Sequence, residues 1–171
     1  MQPRARTLSA VTLGAAMLFG AAAMAADLPK EGTFSHTTSA FFTFKGTPIG
    51  KGRFLNTWDN NGLSVGTGLT DHMTWHCFGL QDTTDGMAEY NGYCVTTDPD
   101  GDQIVFNVVS DGKFAWDAKS VKGRATLTTG TGKYAGITGT VTYVCHSAEF
   151  KTAAEGTGVL YCPSQGSYKL P

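Results

Sequence analysis

Short segments in which apolar and polar residues alternate follow one another along most of the chain. Between Gly139 and Ser147, for example, Val141, Tyr143 and Cys145 share one side of an extended backbone. The predicted strands are Thr33–Lys45, Gly50–Trp58, Gly62–Thr70, His72–Leu80, Met87–Thr97, Gln103–Ser110, Gly123–Thr129, Gly139–Ser147, Thr157–Cys162 and Gln165–Leu170. Their spacing of about 8–12 residues, with turn-forming residues between them, predicts a β-sandwich or a β-barrel.

Residues that favour tight turns lie between several of these strands. They are Asn60-Asn61-Gly62, Asp85-Gly86, Asp100-Gly101 and Asp111-Gly112. Asp-Gly suits a two-residue hairpin because both central residues need positive φ. No long amphipathic helix can be drawn, and a helical turn is expected only near Phe114–Lys122 or Gly132–Gly136. Because the sequence has no linker or low-complexity segment, residues 26–171 are predicted to form one β domain.

The composition agrees with a β-rich fold. The 171 residues include 22 glycine and 24 threonine, both poor helix formers. With 41% hydrophobic and 11% aromatic residues, the chain can build a core, which argues against disorder. The 13 basic and 14 acidic residues nearly cancel, so we expect neither a nucleic acid partner nor binding to an anionic membrane surface.

The N-terminus has the pattern of a secretory signal peptide. Arg4 and Arg6 precede an apolar run that ends in the small-x-small sequence Ala23-Met24-Ala25. The run is shorter than a membrane span, which needs about 20 residues, so membrane insertion is not expected. Cleavage after Ala25 would leave a mature chain of 146 residues. We therefore expect residues 1–25 to be a signal peptide and the mature protein to be periplasmic or extracellular.

The four cysteines all lie in the exported part of the chain, where an even number favours disulfide bonds. They are Cys77, Cys94, Cys145 and Cys162. A hairpin that turns at Asp85-Gly86 places Cys77 opposite Cys94 at a non-hydrogen-bonded pair, where the Cα atoms are close enough for a disulfide. We therefore predict a Cys77–Cys94 bond and, by elimination, a Cys145–Cys162 bond.

A metal site and a catalytic thiol are the alternatives for these cysteines. His76 and His146 each adjoin a cysteine, but the paired short spacings of a structural zinc site are missing. Adjacent residues of a strand point to opposite faces, so neither histidine can serve its neighbouring thiol as a base. A disulfide framework is the favoured interpretation, and no cofactor is expected.

Gly130–Gly139 has the distinctive sequence G-T-G-K-Y-A-G-I-T-G. It resembles the G-T-G-x-[aromatic]-x-G-x-x-G connection between late strands of the allene oxide cyclase and dirigent-like barrels, and of their uncharacterised exported bacterial relatives. Cys94–Asp102 and Ser110–Lys113 are similar to the bacterial group as well. The resemblance implies an all-β, closed antiparallel barrel of roughly eight strands, allene oxide cyclase-like or calycin-like, with a short C-terminal extension. No catalytic residue of the plant cyclases can be matched to a position in this chain.

Asp98, Asp100 and Asp102 place three carboxylates at alternate positions of one segment. Oxygen ligands at such a spacing are typical of calcium loops. Here the glycine follows the second aspartate rather than the third, and Val109 occupies the position at which a glutamate would close an EF-hand loop. The favoured interpretation is a polar turn in which aspartate side chains accept hydrogen bonds from the backbone, with calcium as the alternative.

The hairpin register sorts the residues around the first two cysteines into two faces. His76 lies beside Phe78 and Tyr93 on one face, while Trp75 lies with the cysteines on the other. Either face could line the interior of an eight-stranded barrel, which has room for packed side chains or for one small ligand. The candidate ligand-binding residues are Trp75, His76, Phe78 and Tyr93. A packed core around a satisfied histidine is the alternative.

Three functions from different classes are compatible with this sequence. The first is binding of a small apolar or amphipathic molecule in the barrel interior. The second is a structural or interaction protein with a filled barrel, and the third is a cofactor-free isomerase or cyclase that acts by steric confinement. The sequence lacks the signatures of Ser-His-Asp hydrolysis, phosphate-binding loops and haem attachment. Ligand binding is favoured over the other two, and the oligomeric state is left open.

Overall fold

The computed structural model describes residues 28–148 and 155–171, so the predicted signal peptide, Met1–Ala25, lies outside the described residues. Within them the chain forms nine β-strands and one short 3-10 helix, η1 (Gly132–Tyr134). The strands are β1 (Glu31–Gly50), β2 (Arg53–Thr67), β3 (Thr74–Thr84), β4 (Met87–Thr97), β5 (Gln103–Ser110), β6 (Phe114–Ala115), β7 (Ser120–Gly130), β8 (Thr138–Ala148) and β9 (Glu155–Lys169). In this part of the chain, no helix has the length and apolar character needed to span a bilayer.

Eight of these strands close into one antiparallel barrel. Strands that follow one another in the chain pair side by side from β1 to β5 and from β7 to β9, and β5 pairs with β7. The last strand, β9, returns to pair with β1 and completes the ring. The two-residue strand β6 pairs with the start of β4. The predicted all-β, closed barrel of eight strands is therefore confirmed, with β6 as one extra strand.

Alternating burial along the strands separates the barrel interior from its outer surface. On β1, the even-numbered residues from Phe34 to Phe42 are buried, whereas the odd-numbered residues between them are exposed. A period of two also marks β5 and β7, as expected for strands with one face on a core. The barrel interior therefore receives the even-numbered residues of β1 and the matching positions of its neighbours.

The β3–β4 hairpin has the turn and the disulfide bond that the sequence predicts. Asp85 and Gly86 both have positive φ, at 50° and 81°, as a two-residue hairpin turn of this type requires. The register set by the turn places Cys77 opposite Cys94, and a disulfide joins the two residues.

The second disulfide joins Cys145 of β8 to Cys162 of β9, so the predicted pairing of all four cysteines is confirmed. Around the ring, β5 and β7 separate β4 from β8, and β1 and β2 separate β9 from β3. The two disulfides therefore lie on opposite walls of the barrel, and each one joins two adjacent strands.

Two strands, β2 and β9, each run through a point at which the sequence predicts a break. β2 runs without a break through Asn60-Asn61-Gly62, where a turn was expected. The glycine is needed there because β1 passes so close that a Cβ atom on Gly62 would lie 2.6 Å from the Cβ atom of Ala40. β9 continues past Pro163, and Val144 and Cys145 of β8 are left out of the β8–β9 pairing at this point. Proline has no amide hydrogen to donate, which accounts for that interruption.

The two ends of the barrel differ. One end, which we call the base, holds the β2–β3, β4–β5 and β7–β8 connections, and buried side chains fill its interior. They are Phe34, Leu69, Met73, Ile104, Leu127, Tyr134, Ile137 and Tyr168. The other end, the mouth, holds the β1–β2 and β3–β4 turns and the segment that carries β6. Packing at the base therefore closes the interior from one side.

Candidate functional site

Above the base, the barrel interior contains a cavity of about 180 Å³. Inward-facing residues of all eight barrel strands line it, and Phe114 and Trp116 contribute from the mouth. Its volume is comparable to that of an apolar cavity of about 150 Å³, which stays dry and binds benzene. The interior therefore has room for one small organic molecule.

The cavity wall is mainly aromatic and apolar, as in many small-molecule sites. Its aromatic side chains are Phe42, Phe44, Trp58, Trp75, Tyr90, Phe106, Phe114, Trp116 and Tyr143. Neutral side chains such as Thr38, Asn60 and Gln81 add polar atoms, and no lysine, arginine, aspartate or glutamate is among the described residues that line the space. An ionic group here would lose its hydration without gaining a counter-charge. The wall therefore favours an uncharged ligand.

His36 lies on the base side of the cavity, next to Trp75. The two ring centroids are 5.0 Å apart, and Nδ1 of His36 is 2.6 Å from Oγ1 of Thr70. Burial lowers the pKa of His36 to about 4, so the imidazole is neutral at neutral pH. This histidine, for which the sequence identifies no partner, adds a neutral polar group to the cavity wall.

A group of aromatic residues surrounds the mouth side of the cavity. The ring of Tyr90 meets Trp58 at 5.9 Å and Phe114 at 5.8 Å between centroids, edge to face in both cases. The hydroxyls of Tyr90 and Tyr143 are 2.8 Å apart and share a hydrogen bond. Burial raises the pKa of Tyr90 to about 12 and also raises the pKa of Tyr143. Both phenols therefore stay neutral, and each has the other as a hydrogen-bond partner.

Two glycines make room for Trp58 inside the barrel. Gly79 of β3 and Gly92 of β4 are direct partners in the register, and both adjoin the indole. A Cβ atom on Gly79 would lie 2.6 Å from Cζ2 of Trp58, and one on Gly92 would clash with the same ring. The indole therefore occupies volume that side chains of β3 and β4 would otherwise fill, which holds the ring in the cavity wall.

The indole N–H groups of Trp58 and Trp75 are buried, and neither has a hydrogen-bond partner among the described residues. Most buried polar groups in proteins are hydrogen-bonded, and an unpaired donor destabilises the fold by about 1–3 kcal/mol. Both rings line the cavity. Two buried donors of the barrel interior therefore lack an acceptor among the described residues.

Both disulfides face the cavity, because all four cysteines line it. The described part of the chain has no free thiol. The cysteines therefore act as cross-links and as part of the apolar wall, and they are not available as nucleophiles.

The structure divides the candidate ligand-binding residues between two faces. Trp75 lines the cavity, whereas Phe78 and Tyr93 are 41% and 47% exposed on the outer surface. His76 shares that outer face, and its Nε2 lies 2.8 Å from a carboxylate oxygen of Asp59. Only Trp75 of the four therefore lines the interior, and ligand binding by His76, Phe78 and Tyr93 stays a prediction that the structure does not test.

Several residues of the cavity wall were not candidates from the sequence, notably Trp58, Phe106 and Trp116. The hairpin register contains a signal for Trp58. Gly79 and Gly92 fall on the same face of β3 and β4 as the cysteines, and paired glycines on one face indicate that a large group from another strand packs there.

Asp98 lies in a turn at the base, and its carboxylate oxygens accept hydrogen bonds from neighbouring groups of the protein. Its Oδ1 accepts hydrogen bonds from the backbone amides of Asp100 and Asp102, at 2.8 and 3.0 Å. Its Oδ2 accepts one from the hydroxyl of Tyr134, at 3.0 Å, and pairs with Lys133. Among the described residues, no cluster of histidine, cysteine, aspartate and glutamate could hold a metal ion. The contacts of Asp98 are those of a polar turn that ties η1 to the β4–β5 connection.

The segment Gly130–Gly139, which carries the resemblance to the allene oxide cyclase and dirigent-like barrels, forms the β7–β8 connection and places Tyr134 in the base. Comparison of the chain with models of known families, with curated proteins and with solved structures finds no match. The closed eight-stranded antiparallel barrel is therefore established by its own geometry, and the functional assignment rests on the interior site.

Proposed function

We propose that this protein is an exported β-barrel that binds one small, apolar molecule in its interior. The observation that carries the proposal is the cavity of about 180 Å³, lined from all eight barrel strands and mainly by aromatic side chains. Small-molecule sites in proteins are concave and apolar, with a few placed polar groups that orient the ligand. Thr38, Asn60 and Gln81 are groups of that kind.

Export is supported by the covalent structure. The barrel has two disulfides, and such bonds persist in oxidising compartments and are rare in reducing ones. We propose that Met1–Ala25 is the signal peptide and that the mature protein acts in the periplasm or outside the cell. Intact-mass measurement of the protein secreted by a bacterial host should give the mass of a chain that begins at Ala26.

A structural protein with a filled barrel is the main alternative. The packing at the base agrees with it, but the cavity favours binding, because protein interiors without a ligand are packed about as densely as organic crystals. A cofactor-free isomerase or cyclase in the same interior is the other hypothesis. Its support is the resemblance of Gly130–Gly139 to the connection in the allene oxide cyclase and dirigent-like barrels, together with the closed barrel itself.

Tryptophan fluorescence tests ligand binding directly, because all three tryptophans of the chain line the cavity. Titration of the mature protein with indane, a small apolar bicyclic compound, should change the emission in a saturable way. In Ala125→Phe, a ring added to the cavity wall on β7 should weaken that binding by at least about tenfold, since it occupies the space of the ligand. Native mass spectrometry of the protein purified from its own compartment should show one bound molecule per barrel.

The matched control is Thr126→Phe, which adds the same ring one residue further along β7, on the exposed outer face. Thr126→Phe should bind indane as the unmodified protein does. Equal loss of binding in both variants, or no saturable change with indane in the unmodified protein, would contradict the proposal.

A further inference from the structure

The wall of the cavity becomes more polar along β1 towards the base. His36 and Thr38 are successive inward-facing residues of this strand, and Ser164 of β9 is the register partner of His36. All three side chains line the cavity. Nearer the mouth, the lining residues of β1 are Ala40, Phe42 and Phe44. One strand therefore gives the interior a polar region beside the base and an apolar region beside the mouth.

His36 has a ring nitrogen that a ligand can reach. Its Nδ1 is paired with Oγ1 of Thr70, but its Nε2 has no hydrogen-bond partner among the described residues. The unpaired indole nitrogens of Trp58 and Trp75 have less than 1 Å² of accessible surface each, whereas Nε2 of His36 is not among the atoms sealed in this way. Because His36 lines the cavity, the accessible surface of Nε2 faces the interior.

Contacts on both sides hold the imidazole ring in place. It stacks on Phe34, with 5.9 Å between centroids and 4° between planes, and it lies 5.0 Å from the ring of Trp75. With the bond to Thr70, these contacts leave His36 only 5% exposed. A polar group that is held in position before the ligand arrives loses little conformational entropy on binding. Nε2 therefore has the fixed geometry expected of a group that orients a ligand.

The chemistry of His36 favours a ligand group that both donates and accepts hydrogen bonds. Burial lowers the pKa of His36 to about 4, so at neutral pH one ring nitrogen carries a hydrogen and the other is an acceptor. A hydroxyl group can pair with Nε2 in either tautomer, whereas a carbonyl oxygen can pair with only one of them. The hydroxyl of Thr38, which also lines the cavity, is a second group that both donates and accepts.

On the basis of the proposed function, we propose that the interior binds a small uncharged alcohol or phenol, and that the hydroxyl group of this ligand forms a hydrogen bond with Nε2 of His36. The apolar part of the ligand then extends along β1 towards the mouth, where Phe42 and Phe44 line the space. Lysine, arginine, aspartate and glutamate are absent from the described residues of the wall. A charged ligand group would therefore lose its hydration without gaining a counter-charge.

Three probes with one carbon skeleton test the proposal, namely indane, 2-methylindane and 2-indanol. The last two differ in a single group, which is a methyl or a hydroxyl of similar size. A hydroxyl that is buried without a partner weakens binding, whereas one that pairs with Nε2 regains the hydrogen bond that it gave up in water. In fluorescence titrations, the unmodified protein should therefore bind 2-indanol at least as tightly as 2-methylindane.

The variant His36→Phe keeps a flat ring beside Trp75 and removes the nitrogen. The affinity for 2-indanol relative to 2-methylindane should fall by at least about fivefold in this variant. The matched control is Thr37→Phe, which places the same ring at the next residue of β1, on the exposed outer face, and should leave the ratio unchanged. An unchanged ratio in His36→Phe, or an equal fall in both variants, would overturn the role of His36.

A spectroscopic measurement covers the case in which His36→Phe does not fold. In ¹H–¹⁵N NMR spectra of the imidazole rings of the unmodified protein, the Nε2 signal of His36 should shift when 2-indanol binds and shift far less with 2-methylindane. A His36 signal that responds equally to the two bound probes would overturn the hydrogen bond.

The outcomes separate this inference from the function on which it rests. Saturable binding of indane and 2-methylindane, together with clearly weaker binding of 2-indanol, would overturn the selection for a hydroxyl group and leave the interior as an apolar binding site. Failure of all three probes to bind would contradict the proposed function together with the inference.

Discussion

The base and the cavity region of this barrel are stabilised in different ways. At the base, residues such as Met73, Ile104 and Ile137 are almost completely buried and pack against one another. Around the cavity, the wall residues have open space on one side and cannot gain the same contacts. Both disulfides line the cavity, and Cys77 and Cys94 also belong to the buried cluster that contains the base residues. The covalent bonds between strands therefore border the cavity at the level where it meets the packed core.

The placement of the two disulfides on opposite walls has a physical consequence. Each closes a loop with a sequence separation of 17 residues, and a loop of about 15 residues corresponds to about 3 kcal/mol in the chain-entropy model. Because β3 and β4 are linked on one side and β8 and β9 on the other, the strands that border the cavity are held together without side chains in the middle. A rigid hollow interior is the expected result.

The largest single-residue effect on stability is expected at the base. Met73→Ala removes a side chain with no exposed surface and should lower the free energy of unfolding by about 2–5 kcal/mol. Leu160→Ala, at a partly buried position of the cavity wall, should have a clearly smaller effect because that side chain already borders open space. Urea denaturation of the two variants measures the difference. Equal losses would show that the two regions are packed alike.

Removal of one disulfide is expected to have the next largest effect on the free energy of unfolding. The double variant Cys77→Ala/Cys94→Ala should lower the free energy of unfolding by about 3 kcal/mol, and it should also weaken binding of indane because the wall of the cavity loses its cross-link. Cys145→Ala/Cys162→Ala is the matched comparison, since its loop has the same sequence separation. Denaturation midpoints together with indane titrations measure both effects. A stability loss without any change in indane binding would refute the link between the disulfides and the cavity.

A smaller effect, with a defined pH dependence, is expected from the turn at the base. Burial raises the pKa of Asp98, but hydrogen bonds from Lys133, Tyr134 and the backbone amides of Asp102 and Asp100 outweigh it, so the pKa lies below its ordinary value. A carboxylate whose pKa is lowered by folding contributes stability that is fully present above the pKa of the unfolded chain. That contribution is lost as the pH falls through the pKa of the folded state.

Asp98→Asn should therefore lower the free energy of unfolding by about 2 kcal/mol at neutral pH and reduce the dependence of stability on pH in the acid range. Asp100→Asn, at a side chain that is 72% exposed, should change it by less than about 1 kcal/mol. Thermal unfolding from neutral to acid pH compares them. If Asp98→Asn keeps the full acid dependence of the unmodified protein, the assignment of that dependence to Asp98 is wrong.

The covalent framework and the barrel could be predicted because they depend on local signals. Asp85-Gly86 sets the register of one hairpin, and that register alone places Cys77 opposite Cys94. Strand β2, which continues through Asn60-Asn61-Gly62, shows the limit of such local signals. Glycine and asparagine there predict a turn, but the close passage of β1, a contact distant in the sequence, requires a glycine inside a continuous strand.

The inward face of β3 could not be predicted for a related reason. Both faces of the β3–β4 hairpin carry apolar and aromatic residues, so alternation fixes which residues share a face but not which face is buried. The closure of the ring by β9 and β1 decides it. Trp75 then falls inside, and His76 and Phe78 fall outside. The unpaired indole donors are likewise visible only when the whole interior is assembled.

The smallest effect is expected on the outer surface of the cavity region. His76→Gln removes an exposed pair with Asp59, whose side chains are 51% and 47% exposed, and should change the free energy of unfolding by less than about 1 kcal/mol. It should leave the affinity for indane unchanged, whereas Trp75→Phe, at the adjacent residue that lines the cavity, should change that affinity. Fluorescence titrations of the two variants make the comparison. Because the two residues are neighbours on β3, an effect of His76→Gln on interior binding would mean that the hairpin presents its other face to the cavity.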